Sequence, residues 1–199
     1  MAQFTEGNKK LHMAYSFELL GSIYSAKHFR ENIEKFLKIK PTGWACWSFS
    51  NHDVIRHVSR WCRDSDSKRL LAKQAAAILL SLEGSVCLYQ GEEVGQLESE
   101  LEFSELTDPP GIRFWPENRG RDGCRTPMVW DRNLLYGGFS NKKPWLPIKD
   151  KQLHHDVASQ DKDSSSVLSF YKKMLKFRVQ ERALKLGSTS FYDTPEPLL

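Results

Sequence analysis

The stretch Ala45-Cys46-Trp47-Ser48-Phe49 runs straight into Ser50-Asn51-His52-Asp53: a short, mostly apolar run followed by a polar cluster. Two further runs of the same kind lie at 12–17 and 85–89, each rich in aromatic or β-branched residues. The first is followed by Glu18, the second by Gln90-Gly91-Glu92-Glu93. Helical periodicity fills the intervals. Over 25–37, Phe29, Ile33 and Phe36 recur at three- and four-residue steps, and Pro41 follows. Over 65–82, Leu71, Ala75, Ile78 and Leu82 form a stripe. Asp64 or Asp66 can cap its start, and Gly84 stands where a left-handed cap belongs. Over 166–186, Val167, Phe170, Met174 and Phe177 face one way, and Gly187 ends the helix. Strand-like runs alternating with helices predict βα units on a parallel sheet, with the chemistry at the carboxyl ends of the strands.

Composition narrows the function classes. The 199 residues suffice for one good core, or one domain and part of another. Hydrophobic residues are 40% and charged residues 27%, as in ordinary globular proteins. The six Trp suit an open sugar cleft and a buried core equally, so composition does not choose. The net charge of +4 concentrates over 172–185 at helical spacing, which reads as the solvated face of an amphipathic helix; no nucleic-acid partner is expected. No apolar run nears the ~20 residues that span a bilayer, and the amino terminus lacks an apolar signal core. Cys46, Cys62, Cys87 and Cys124 show no CxxC spacing, so free thiols in a cytoplasmic setting are expected.

Three constellations could carry chemistry. His52 and Asp53, side by side after a strand, can hydrogen-bond neighbouring sugar hydroxyls; the other reading is that Asp53 caps the segment 54–61. Glu92 and Glu93, adjacent on a strand, would point opposite ways, so that at most one faces a substrate and packing or hydrogen bonding accounts for the other. In Gly120-Arg121-Asp122-Gly123-Cys124-Arg125, two arginines bracket an aspartate. Their planar donors suit sugar hydroxyls or a carboxylate, or they staple the loop through internal Arg–Asp pairs. His52 and His57 are five apart and His154-His155 are adjacent; neither has helical zinc spacing.

Five ordered strings make the combination specific: LHMAYSFELL from Leu11, SFSNHD from Ser48, YQGEEVG from Tyr89, DPPGIRFWP from Asp108 and GRDGCRTPMVWD from Gly120. Together they resemble the α-glucosidase branch of glycoside hydrolase family 13, the α-amylase superfamily. The resemblance implies an α/β fold, a partial TIM (β/α)8 barrel of about strands six to eight over residues 1–187. The stretch 97–163 would be a long loop after the last strand, and 188–199 the truncated start of a carboxyl-terminal β-domain. It implies a retaining glycoside hydrolase acting on short α-linked glucosides such as maltose, sucrose or isomaltose. Asp53 would be its transition-state stabiliser; His52, Arg121 and Arg125 would bind substrate. The family's nucleophile, its general acid and base, and the calcium-binding segment of many members would all precede Met1. The chain alone is therefore expected to be inactive and to hold no cofactor. Two other readings stand beside this one: a complementing half that pairs with a separately encoded amino-terminal half (or a pseudogene product), and a transglucosylase of the same family.

Overall fold

The computed structural model describes residues 2–7, 9–39, 43–62 and 67–199. Pro41, Asp64 and Asp66, expected as helix-ending or capping residues, lie outside them. Two compact units emerge. One comprises Met1–Phe49, Ala75–Leu88 and Met174–Leu199, the other Ser50–Gln74 and Tyr89–Lys173.

The first unit holds the sheet. Strands β1 (Ala14–Tyr15), β2 (Ala45–Trp47) and β3 (Ser85–Val86) lie parallel in the order β1-β2-β3. Ala14 pairs with Ala45, and Cys46 with Ser85. All three expected strands form, each shorter than its apolar run. β2 is buried along its whole length, as a central parallel strand must be. The helix Ala26–Ile39 covers it with the expected stripe: Phe29, Ile33 and Phe36 are buried. Phe29 packs on Phe49 at 5.5 Å between ring centroids, and Phe36 meets the Trp47 ring edge-on at 5.6 Å. At the helix start, Ser25 Oγ accepts from His28 N, and the Glu196 carboxylate accepts from Ala26 N and Lys27 N, satisfying amides that no helical carbonyl reaches. Residues 188–199 carry no helix or strand.

The other long helices need correction in detail. Lys68–Ser81 buries a wider face than the expected stripe. Ala72, Ala76, Leu79 and Leu80 join Leu71 and Ala75, whereas Ile78 is only partly buried. The expected single helix over 166–186 is two, Val167–Gln180 and Arg182–Leu186, separated by extended Glu181. Its buried positions are Val167, Leu168 and Tyr171, while Phe177 is exposed. Beyond Arg178 no apolar face is buried to hold a continuous rod. Arg178 itself donates to the Leu80, Leu82 and Gly84 carbonyls at 2.6, 2.9 and 2.6 Å, and so caps the end of the helix Lys68–Ser81.

Gly84 has φ +111°, and a Cβ there would stand 2.7 Å from the Ala45 carbonyl oxygen. Both the backbone angle and the close approach to β2 demand glycine. Gly84→Ala should cost ~2–4 kcal/mol of unfolding free energy, measured with urea. A loss below about 0.5 kcal/mol, the scale of an ordinary surface change, would contradict this account.

In the second unit, the expected long loop over 97–163 is a chain of short helical turns. These are Phe103–Glu105, Pro109–Arg113, Asp122–Arg125, Leu135–Gly138, Asp150–Leu153 and Val157–Lys162. Two small apolar clusters hold them: Leu101, Leu106 and Leu146 with Trp115, and Val94, Met128 and Leu168 with Val157.

Candidate functional site

Asp53 does not cap the helix that follows it; the helix His57–Trp61 has Arg56 at its N-cap position. The Asn51 side chain accepts from Asp53 N at 2.8 Å, which turns the chain tightly and presents the aspartate. Its carboxylate then meets residues distant in sequence. Arg121 Nη1 donates to Asp53 Oδ1 at 3.0 Å, and Arg125 Nη2 reaches the same oxygen at 3.3 Å. His52 Nε2 lies 3.4 Å from Oδ2. Arg125 Nε also donates to the His52 carbonyl at 2.8 Å. The three other sequence-predicted site residues, His52, Arg121 and Arg125, therefore converge on the Asp53 carboxylate. The Asp53 side chain remains 44% exposed, so this cluster contributes little to stability and stays open to a ligand.

The loop is stapled, but not by the aspartate between the arginines. Arg121 grips Asp108 with a bidentate fork, Nε to Oδ2 at 3.0 Å and Nη2 to Oδ1 at 2.7 Å, and its backbone N adds a third bond at 2.8 Å. This guanidinium holds the buried Asp108 carboxyl below the ordinary range, and Asp108 first, then Asp53, holds Arg121 charged. Asp122 is fully buried and accepts from the backbone N–H groups of Thr107 and Asp108 at 2.6 and 2.8 Å. One aspartate thus fixes the segment whose other aspartate aims the arginine. Gly120 and Gly111 let these strings interlock: a Cβ on Gly120 would meet Asp108 Oδ2 at 2.8 Å, and one on Gly111 would meet the Arg119 carbonyl at 2.7 Å. Neither Asp108 nor Asp122 was legible as a site residue, since an aspartate before Pro-Pro carries no spacing signal for a partner thirteen positions on.

Glu92 and Glu93 are not on a strand but on a 3₁₀ turn, Glu92–Val94, entered and left through left-handed Gly91 and Gly95. Glu92 points inward. It accepts from Tyr89 N at 3.0 Å and from the Tyr171 hydroxyl at 3.2 Å, and burial pushes its carboxyl up to about 8. His57 is buried against Ser50 Oγ, and burial pushes its imidazole down to about 3. His155 faces the Val94 carbonyl at 3.2 Å. Among the described residues no three His, Cys, Asp or Glu side chains are placed to hold a metal, and Cys46, Cys62, Cys87 and Cys124 form no disulfide there. No described helix is long and apolar enough to cross a membrane.

Comparison with known proteins bears on this geometry. Residues 1–187 match the family described as alpha amylase, catalytic domain. A probable alpha-glucosidase of Rhizobium meliloti (strain 1021) is 47% identical over 198 residues, covering 99% of this chain and 36% of that protein. An oligo-1,6-glucosidase of Heyndrickxia coagulans is 32% identical over 159 residues, covering 71% of this chain and 28% of that protein. A solved alpha-glucosyl transfer enzyme superposes with a TM-score of 0.89 at 46% identity, over 94% of this chain and 35% of its own. The chain spans about a third of the length of the relatives it matches. Its three-stranded parallel sheet is consistent with part of the barrel these enzymes share. With the family profile matched along nearly all its length and a probable alpha-glucosidase alike at almost every second position, the chain belongs to the alpha-amylase catalytic-domain family, glycoside hydrolase family 13.

Proposed function

We propose that Asp53, His52, Arg121 and Arg125 form the hydroxyl-gripping side of a glucose subsite in a retaining α-glucosidase acting on short α-linked glucosides. The observation that carries this reading is the half-exposed Asp53 carboxylate. Two arginines are docked on one of its oxygens, and the exposed remainder can accept from a sugar. Placed this way, the carboxylate strengthens its bonds as positive charge develops on the ring. His52 donates to a neighbouring hydroxyl. Arg121 reaches the innermost glucose, and Arg125, tied to the His52 carbonyl, holds the turn.

In this reading residues 1–187 are the carboxyl-terminal portion of the catalytic (β/α)8 barrel, β1 to β3 are its strands six to eight, and 188–199 begin a β-domain. The nucleophile and the general acid come from the rest of the barrel, as does any calcium site. Glu92 is no substitute, because it is buried and committed to Tyr89 and Tyr171. β1 and β3 each pair on one side only among the described residues, and Leu11, Met13 and Phe17 around β1 are exposed, which suits a further part of the barrel packing there. That part lies on the same polypeptide or on a separately encoded half. The likeness to an alpha-glucosyl transfer enzyme supports transfer to a sugar or alcohol as the second reading.

The 199-residue chain, purified by itself, should release no 4-nitrophenol from 4-nitrophenyl α-glucoside above the blank. Turnover that Asp53→Asn abolishes would overturn the assignment of the nucleophile and acid to the rest of the barrel.

A further inference from the structure

We infer that Arg56 is the positioning residue of this site: its buried guanidinium sets the Asp53 turn against the segment carrying Arg121 and Arg125. The inference rests on the reading of Asp53 as a sugar-gripping carboxylate. Arg56 follows Asp53 by three residues and is 1% exposed. Its Nη1 donates to the Gln90 carbonyl at 2.7 Å and its Nη2 to the Cys124 carbonyl at 2.8 Å. Cys124 is the neighbour of Arg125, and Gln90 opens the turn that ends in Gly95. One planar group therefore joins three segments that are far apart in sequence.

The surroundings are shaped for that group. The Tyr89 ring lies 5.0 Å from the guanidinium carbon, and the Tyr89 hydroxyl donates to the same Cys124 carbonyl at 3.1 Å. Gly91 has φ +89°, and a Cβ there would come within 2.9 Å of Arg56 Nη1. Arg56 N donates to Glu98 Oε2 at 2.9 Å, while a Cβ on Gly123 would stand 2.4 Å from Glu98 Oε1. Two glycines thus admit Arg56 and the carboxylate that fixes its backbone.

Packing alone does not call for a charge here. Burying a guanidinium costs several kcal/mol, and an apolar side chain would fill the space more cheaply. What only arginine supplies is two parallel donors in a rigid fork. Across the surface the same segments are joined by the more accessible bond from Arg125 Nε to the His52 carbonyl. Arg56 is the buried counterpart of that tie. Misplacing a substrate-gripping group by ~1 Å can cost on the order of 10²-fold in rate, so this register matters to catalysis.

The test uses the ¹⁵N-labelled 199-residue chain and the Nε–H resonances of its arginines. Arg121 Nε is bonded to Asp108 within its own loop, whereas Arg125 Nε is bonded across to the Asp53 turn. Arg56→Lys should raise the solvent exchange of the Arg125 Nε–H at least about tenfold, the scale of ~1.4 kcal/mol in an opening equilibrium, and leave Arg121 unchanged. Arg132→Lys, which weakens a contact to Asp156 elsewhere in the unit, should move neither. If Arg56→Lys does not fold, Arg56→Gln, which buries no charge, takes its place with the same expected pattern. Exchange unchanged at Arg125, or raised equally at both arginines, overturns the proposal. Turnover of α-glucosides by a complete barrel carrying Asp53→Asn reports on the sugar reading separately. Undiminished turnover there, with Arg125 freed by Arg56→Lys, would remove the sugar reading and leave the positioning intact.

Discussion

Asp53→Asn, placed in a complete family barrel that carries these residues with a nucleophile and an acid, should lower kcat for α-glucosides by on the order of 10²–10³. The effect on folding should be small, because Asp53 is half exposed and asparagine keeps its shape. The amide oxygen can still accept from Arg121 and Arg125, so the turn keeps its position. What disappears is the negative charge that gains strength as the sugar ring becomes oxocarbenium-like. A ground-state contact would act on KM, whereas a contact that tightens only in the transition state acts on kcat. Steady-state kinetics on 4-nitrophenyl α-glucoside, with a melting curve beside them, decide the matter. A fall of less than tenfold, or a rise in KM alone, would remove Asp53 from the chemistry.

Glu92→Gln should flatten the alkaline side of the chain's stability profile. An ordinary glutamic acid releases its proton near 4.5, whereas folded Glu92 keeps it up to about 8. Between those values the folded chain holds a proton that the unfolded chain has lost, so stability falls as pH rises through the window. At about 1.4 kcal/mol for each pH unit across that window, the loss amounts to several kcal/mol. The glutamine amide oxygen can accept from Tyr89 N while its NH2 donates to the Tyr171 hydroxyl oxygen, as the O–H of the neutral acid can, but it has no proton to lose. His57 works on the other side. It stays neutral down to about 3 although an ordinary histidine protonates near 6.5, so its contribution is lost as pH falls between those values. Urea unfolding at pH 5, 6, 7 and 8 should therefore show the variant gaining steadily on the parent as pH rises. Parallel profiles would mean that Glu92 is ionised in the fold.

Asp53 and Glu92 are different kinds of residue. Asp53 was legible in the sequence because its string, with four others in order, resembles a family. Glu92 belonged to one of those strings too, yet only the fold shows that it turns inward against Tyr171. The helix Val167–Gln180 makes the same point. Its periodicity was plain, but the expected stripe included exposed Phe177 and omitted buried Tyr171, because period alone does not say which side meets a neighbour.

By itself the sequence determined the βα alternation, the parallel strands around residues 14, 45 and 85, and the family, and through the family resemblance it singled out Asp53, His52, Arg121 and Arg125 as candidates. These follow from local patterning and ordered motifs, which are written along the chain. Tertiary structure alone decided that they meet at the Asp53 carboxylate and which partners hold them there, with Asp108 behind Arg121, Asp122 behind Asp108, and Arg56 beneath the turn. The bonds of these partners join segments thirteen to sixty-eight residues apart. Many of them run to backbone carbonyls and amides, which every residue carries and which therefore leave no mark in a sequence.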